Sequence, residues 1–188
     1  MHATSSDPRD TPRPALRFVR HGATSANLAG LRCGGDLDLP LTATGREQAT
    51  AAARVIARLD PPVGLILCSH LLRTRETAAI IASALPGVPI VIDPAFAERS
   101  LGDWNLRPID ETQASLDAGC TPPGGESGAA FSARVTAALQ RLRPRLADRP
   151  LLVGSKGVAR VMAELAGLHR PDLGNGVVTE FELDGSGP

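Results

Sequence analysis

Short apolar runs alternate with helical patterns along this chain, a pattern typical of a largely parallel sheet covered by helices on both faces. The predicted strands are five short runs, at residues 16–19, 65–68, 90–92, 151–153 and, as a candidate edge strand, 177–181. The pattern therefore predicts one α/β domain with three layers, α/β/α, over residues 15–184.

Four segments carry apolar residues at helical spacing. A capping-box pattern, Thr44-x-x-Glu47, predicts a first helix that begins at Thr44 and runs to about Leu59. Further helices are predicted over 71–85, after Ser127, and over 156–168. Residues 93–125 show little periodicity and contain the only tryptophan. Because long irregular stretches inside compact domains are usually functional, this segment is predicted to be a lid.

Composition narrows the class of protein. The 188 residues include 20 basic and 20 acidic side chains, which argues against a general nucleic-acid or membrane-surface binder. Residues 1–14 are polar and predict a disordered tail, and no apolar run approaches membrane-spanning length. Three widely spaced cysteines without metal-ligand spacing indicate reduced thiols, no metal and a cytoplasmic protein. No nucleotide motif is present, so no cofactor is expected. The sequence does not indicate the oligomeric state.

Arg20-His21-Gly22 follows the first predicted strand directly. An imidazole can attack phosphorus, and a guanidinium can grip the phosphoryl oxygens in a bidentate manner. The simpler alternative is a strand exit, with Gly22 supplying a turn. Ligand sites of parallel sheets lie at the carboxyl ends of the strands, and His21, Ser69 and Ser155 each follow such an end. The pattern therefore predicts that these residues converge on one site.

Several motifs occur in a characteristic order, and their sequences and positions are RHG at 20–22, GDLDLPLT at 35–42, SHLLRTRETA at 69–78, ERSLGDW at 98–104 and PGGES at 123–127. In order and spacing the chain resembles the histidine phosphatase superfamily, the phosphoglycerate-mutase-like proteins. The resemblance runs from about Leu16 to Asn175. It implies a hydrolase that needs no cofactor and acts on a small phosphorylated substrate.

The resemblance also assigns expected roles to residues. His21 matches the nucleophile that forms a phosphohistidine, and Arg20 and Arg73 match the arginines that clamp the phosphoryl group. Asn27 matches an amide donor to a phosphate oxygen, and Glu98 is the candidate general acid for the leaving alkoxide. The alternatives are a surface charge for Arg73, a turn-forming role for Asn27 and an ordinary surface position for Glu98.

One departure from the family pattern concerns the phosphate pocket. Ser155 stands where the resemblance places a second catalytic histidine. A serine between a strand and a helix is equally well explained as a helix N-cap. Lys156 at the helix start, where backbone N–H groups favour an anion, offers partial replacement of the missing positive charge. The family also carries lysine there beside an intact histidine, so compensation is not required.

Three explanations stay open at this point. The first is a phosphomonoesterase that acts through His21 and is slowed by Ser155. The second is a catalytically inactive pseudophosphatase that binds a phosphorylated ligand. The third is an altered residue 155 in an ordinary phosphatase, in which restoring histidine would raise activity sharply. A phosphoglycerate mutase is disfavoured because the mutases of this family are usually longer.

Overall fold

A five-stranded sheet forms the centre of the computed structural model, which describes residues 15–169 and 173–182. Its order is β3-β2-β4-β1-β5, with β1 Ala15–Arg20, β2 Leu65–Cys68, β3 Ile90–Ile92, β4 Pro150–Gly154 and β5 Val178–Glu182. The first four strands are parallel, and β5 runs antiparallel to β1 at one edge. The predicted α/β fold is confirmed. The predicted tail 1–14 and the domain end at 183–184 lie outside the described residues.

Across the described residues, six α-helices accompany the sheet: α1 Ser25–Leu28, α2 Ala43–Ile56, α3 Leu72–Ser83, α4 Ile109–Asp117, α5 Gly128–Leu142 and α6 Lys156–Leu165. The predicted capping box at Thr44 is wrong. Thr42 is the N-cap of α2, and its hydroxyl oxygen accepts a bond from the Gly45 N–H at 3.0 Å. The same hydroxyl donates to the Ala23 carbonyl at 3.0 Å, so a tertiary contact selects this threonine.

The side chains of β1 alternate between the two faces of the sheet. Leu16 and Phe18 pack in one cluster with α5 and α6, whereas Val19 packs in a second cluster with α2 and α3. The Phe18 ring meets Phe181 of β5 edge-to-face, with centroids 5.9 Å apart. The molecule is therefore three-layered, as the alternating apolar and helical segments predict. Within the described chain, no helix is both long and apolar enough to cross a membrane.

The segment 93–125 is more regular than predicted. It contains α4 and two single turns of 3₁₀ helix, Pro94–Phe96 and Gly102–Trp104. Helix α4 has one buried residue, Thr112, so it lacks the apolar stripe that reveals a helix in a sequence. The Nε atom of Arg32 donates to the Thr112 hydroxyl at 2.8 Å and holds α4 to the loop after α1.

Strands β2, β4 and β1 are neighbours in the sheet, and their carboxyl ends therefore lie side by side. Arg20 pairs with Gly154 at the ends of β1 and β4, and the His21 N–H donates to the Gly154 carbonyl at 2.9 Å. This bond places His21 beside the start of α6, where Ser155 follows Gly154. The predicted convergence of these two residues is thus explained by the strand register.

Candidate active site

The His21 side chain is 4% exposed and has a defined tautomer. Its Nδ1 atom lies 2.8 Å from the Gly22 carbonyl oxygen. Because a carbonyl oxygen can only accept a hydrogen bond, Nδ1 carries the proton. The other ring nitrogen, Nε2, therefore keeps its lone pair in the neutral imidazole, the form of histidine that can act as a nucleophile.

The surroundings of His21 also fix its charge. Burial lowers the pKa of His21 well below 6.5, and the positive charges of Arg73 and Arg20 lower it further. The hydrogen bond to the Gly22 carbonyl acts in the opposite direction without reversing the shift. The imidazole is consequently neutral at pH 7.

Gly22 is glycine because the backbone of α2 approaches it closely. A Cβ atom built on Gly22 would lie 2.1 Å from the Gly45 carbonyl oxygen, and one built on Gly45 would lie 2.2 Å from the Ala23 carbonyl oxygen. Gly22 is not among the positive-φ glycines of the described chain, so conformational freedom is not its role. Its N–H donates to the Thr77 hydroxyl at 3.1 Å. The glycine pair thus holds α2 against the loop that carries His21.

Arg73 lies in the first turn of α3 and is fully buried, which excludes the surface-charge alternative. Its Nη1 atom donates to the Leu37 carbonyl at 2.8 Å, and Nη2 donates to the Gly34 carbonyl at 3.1 Å. Its Nε atom is buried without a hydrogen-bond partner in the described part of the chain. Arg73 therefore fixes the 34–37 loop and places a positive charge near His21.

Asn27 lies within the short helix α1, completes a capping box with the N-cap Thr24, and also lines the cavity. Its Oδ1 accepts a bond from the Thr24 N–H at 3.1 Å, which agrees with the turn-forming alternative. Asn175 Nδ2 donates to Asn27 Oδ1 at 3.4 Å and to the His21 carbonyl at 2.8 Å. The sequence gives no signal for this contact of Asn175, because the residue lies in a loop far along the chain.

Glu98 is anchored at both carboxylate oxygens. Oε1 accepts a bond from the Arg99 N–H at 2.8 Å, and Oε2 accepts one from the Gly157 N–H at 2.9 Å. A Cβ atom on Gly157 would lie 2.0 Å from Glu98 Oε1. Glu98 is therefore not an ordinary surface glutamate, since the first turn of α6 leaves space for its carboxylate only because residue 157 is glycine.

Ser155 occupies the N-cap position of α6, yet its side chain does not cap the helix. The residue is 2% exposed, and its Oγ has no hydrogen-bond partner within residues 15–169 and 173–182. Buried hydroxyl groups are almost always hydrogen-bonded. The capping interpretation thus fails for the side chain. Lys156 begins α6, half-buried beside the cavity.

A cavity of about 410 Å³ opens beside these residues. Arg20, Asn27, Glu98 and Lys156 line it, and α4, α5 and α6 supply further lining residues. His21, Arg73 and Ser155 do not line the cavity but are buried next to residues that do. The structure therefore brings the seven predicted residues into one region, with three of them below its surface.

Three observations concern other residues near this site. The described residues include no group of three or more His, Cys, Asp or Glu side chains that could hold a metal ion. Cys33 lines the cavity, and burial raises the pKa of its thiol. A raised pKa disfavours the nucleophilic thiolate, so Cys33 is not activated for reaction. Asp38 is structural, because its Oδ1 accepts a bond from the Leu72 N–H at 2.6 Å.

Comparison with known proteins identifies the class that this fold and site define. Residues 16–188 match the family model of the histidine phosphatase superfamily (branch 1), and the chain belongs to that family. It is 35% identical to the glucosyl-3-phosphoglycerate phosphatase of Mycolicibacterium vanbaalenii, over 81% of this chain and 74% of that protein. It is 33% identical to the adenosylcobalamin/alpha-ribazole phosphatase of Escherichia coli, over 81% and 79% of the two chains.

A mutase also occurs among the relatives. The probable phosphoglycerate mutase GpmB of an Enterobacter species is 39% identical over 76% of this chain and 69% of that protein. Among solved structures, a mycobacterial glucosyl-3-phosphoglycerate phosphatase complexed with VO3 superposes with a TM-score of 0.75 at 30% identity. That match covers 89% of this chain and 90% of the other. The relatives are therefore phosphatases or mutases, consistent with a hydrolase.

Proposed function

We propose that this protein is a phosphomonoesterase that hydrolyses a small phosphorylated metabolite through a phosphohistidine at His21. The observation that carries the proposal is the state of His21. The Gly22 carbonyl fixes its proton on Nδ1, and burial with two arginine charges keeps the ring neutral. Two relatives are a glucosyl-3-phosphoglycerate phosphatase and an adenosylcobalamin/alpha-ribazole phosphatase, and both activities support this substrate class.

In the first step, the lone pair of His21 Nε2 attacks phosphorus and the P–O bond to the leaving group breaks. Glu98 in its acid form gives its proton to the leaving oxygen, so a neutral alcohol departs. Arg20 and Arg73 balance the negative charge on the phosphoryl oxygens, and Asn27 donates its amide to one of them. The products of this step are the alcohol, a phosphohistidine and a Glu98 carboxylate.

In the second step, water attacks the phosphohistidine and the N–P bond breaks. The Glu98 carboxylate takes a proton from the water, inorganic phosphate leaves, and Nε2 recovers its lone pair. The Gly157 and Arg99 N–H groups hold the Glu98 carboxyl group in place through both steps. No metal ion or organic cofactor takes part in this scheme.

Ser155 is the residue that slows the proposed reaction. In the family pattern a histidine here gives a charged hydrogen bond to the phosphoryl group, and the loss of such a transition-state donor costs on the order of a hundredfold or more in rate. A serine hydroxyl is shorter and uncharged. Lys156 at the start of α6 supplies part of the missing positive charge, with looser geometry than an imidazole.

A second candidate function is favoured by the same residue. The Ser155 hydroxyl is buried without a hydrogen-bond partner in the described chain. This is expected of a pocket that has lost its catalytic histidine. On this view the arginines hold a phosphorylated ligand without turnover. The 93–125 segment, which carries Glu98 and α4 along the cavity, then selects that ligand as a lid.

Phosphate release from a panel of phosphomonoesters separates these functions. The proposal expects turnover by the wild-type protein, loss of turnover in His21→Ala, and at least a tenfold gain in Ser155→His. Ser132→His is the control, because Ser132 lies on the same cavity but outside the proposed machinery. Release that survives His21→Ala contradicts the proposal. A silent wild type that binds vanadate and is activated by Ser155→His establishes the binding function instead.

A further inference from the structure

An ion pair beside the loop that carries Glu98 has no part in the proposed chemistry. Arg134 on α5 donates from Nε to Glu126 Oε1 at 3.0 Å and from Nη2 to Glu126 Oε2 at 2.7 Å. Its guanidinium carbon also lies 5.2 Å from the centre of the Phe131 ring. The two charged side chains are only 29% and 18% exposed, and the pair is bidentate. The guanidinium group of Arg134 is therefore held in one geometry.

The third nitrogen of this guanidinium group binds the backbone just before Glu98. The Nη1 atom of Arg134 donates to the Ala95 carbonyl at 2.9 Å and to the Ala97 carbonyl at 3.1 Å. The Ala97 carbonyl and the Glu98 N–H belong to one planar peptide group. Because Arg134 holds this carbonyl, it also fixes the plane of the peptide group that leads into Glu98.

The other member of the pair, Glu126, binds the residues just after Glu98. Its carbonyl accepts a bond from Arg99 Nε at 2.8 Å, and its N–H donates to the Ser100 carbonyl at 3.0 Å. The Glu126–Arg134 pair therefore holds the chain on both sides of Glu98. Neither Glu126 nor Arg134 is among the described residues that line the cavity, so neither is placed to touch a substrate.

We propose that Arg134 and Glu126 are positioning residues for proton transfer by Glu98. The inference rests on the proposed function, because it takes Glu98 as the general acid. The Gly157 N–H holds the carboxyl end of the Glu98 side chain, and the Glu126–Arg134 pair holds the backbone from which that side chain extends. A general acid must lie within hydrogen-bond reach of the leaving oxygen. Without Arg134 the loop is free to shift, and a displacement of about 1 Å costs on the order of a hundredfold in rate.

Two esters that differ by one methylene group test this role: 4-nitrophenyl phosphate and 4-nitrobenzyl phosphate. The nitrophenolate leaves as an anion that is stable at neutral pH, whereas the nitrobenzyl alkoxide needs a proton as it leaves. The value of kcat/KM reports the step in which the P–O bond breaks, so the later hydrolysis of the phosphohistidine does not enter. Glu98→Gln calibrates the test. It is expected to lower kcat/KM on the order of a hundredfold for the benzyl ester and less than about tenfold for the phenyl ester.

Arg134→Met is expected to lower kcat/KM at least about tenfold for the benzyl ester and to leave the phenyl ester within about threefold. Glu126→Gln keeps the shape of the side chain without its charge and should change the ratio of the two values in the same direction. It carries the test if Arg134→Met does not fold. In a Glu98→Gln background, Arg134→Met should not change the ratio further. Arg141→Met is the matched control, since it removes an arginine of the same helix from an exposed ion pair with Asp93 and should keep the wild-type ratio.

The ratio of the two kcat/KM values separates failure of this inference from failure of the proposed function. An unchanged ratio in Arg134→Met and Glu126→Gln, whether both esters fall equally or neither falls, overturns the inference while the phosphatase stands. A ratio that changes as much in Arg141→Met, or that changes further in the double variant, also overturns it. An equal fall for both esters in Glu98→Gln instead contradicts the acid role of Glu98, and the inference fails with it. Hydrolysis of neither ester by the wild type overturns both.

Discussion

The Oε2 atom of Glu98 lies 2.9 Å from the backbone nitrogen of Gly157, so the candidate acid is hydrogen-bonded to the first turn of α6. This contact joins the loop after β3 to the helix that follows β4. It requires glycine at position 157, because a Cβ there would lie 2.0 Å from the other carboxylate oxygen. The position of the acid thus depends on a residue that has no reactive group.

Gly157→Ala is therefore expected to displace the Glu98 carboxylate and to lower kcat on the order of a hundredfold, within the range of general acid catalysis. The unfolding free energy should stay within about 1 kcal/mol of wild type, because alanine is the better helix former. Steady-state kinetics and urea unfolding measure the two effects. In a Glu98→Ala background, Gly157→Ala should have no further effect on kcat. Additive losses would show that Gly157 does not act through Glu98.

The His21 environment predicts an unusual titration. A lowered pKa means that the ring loses its proton at a lower pH, so His21 stays neutral at pH 6.5, where an ordinary histidine is about half protonated. NMR of the imidazole protons, assigned with His21→Gln, follows the titration, with N-acetylhistidine amide as the reference compound. Half-titration of His21 at or above pH 6.5 would contradict the electrostatic description of the site.

Arg73 is expected to support both the fold and the anion site. Arg73→Met leaves the Leu37 and Gly34 carbonyls without their donors and should lower the unfolding free energy by about 2–4 kcal/mol. It should also weaken vanadate binding. Arg46→Met is the control, since the exposed Arg46–Glu76 pair contributes less than about 1 kcal/mol. Urea unfolding measures the loss of stability, and calorimetry measures vanadate binding. Equal stability losses in Arg73→Met and Arg46→Met would contradict the buried, structural position of Arg73.

The corrected helix start gives a prediction about stability alone. Thr42→Ala removes the N-cap of α2 and should lower the unfolding free energy by about 1 kcal/mol. Thr44→Ala replaces an exposed residue in the first turn and should change it by less than about 0.5 kcal/mol. The two variants have identical composition, so urea unfolding compares them directly. A larger loss of unfolding free energy in Thr44→Ala would instead support the capping box that the sequence pattern predicts.

The sequence predicted the sheet well because its central strands are buried on both faces. The central strand at 65–68 has the predicted bounds, as does the more exposed edge strand at 90–92, and the alternation of strand and helix predicted the layers. The start of α2 was mispredicted because Thr42 and Thr44 are both good caps locally. Only the tertiary bond to Ala23 distinguishes them. Helix α4 was missed because a helix held by Arg32 and polar contacts has no apolar stripe.

The candidate site was predicted in outline. The positive charge of Arg73 acts on His21, and Glu98 lines the neighbouring cavity, although the catalytic roles of all three stay predictions. The contact of Asn175 with Asn27 and the His21 carbonyl was not predicted, since it joins a loop far along the chain to the start of the site. A single sequence contains local patterns, whereas a contact between distant loops is visible only in the folded chain.

Trapping the phosphorylated protein tests the central claim most directly. The protein is mixed with a phosphomonoester that it hydrolyses, quenched in alkali, and examined by peptide mass spectrometry and ³¹P NMR, with His21→Ala as the blank. The account predicts one phosphoryl group on His21, attached at Nε2 because the Gly22 carbonyl occupies Nδ1. Turnover without a phosphorylated His21, or a phosphoryl group on Nδ1, would contradict it.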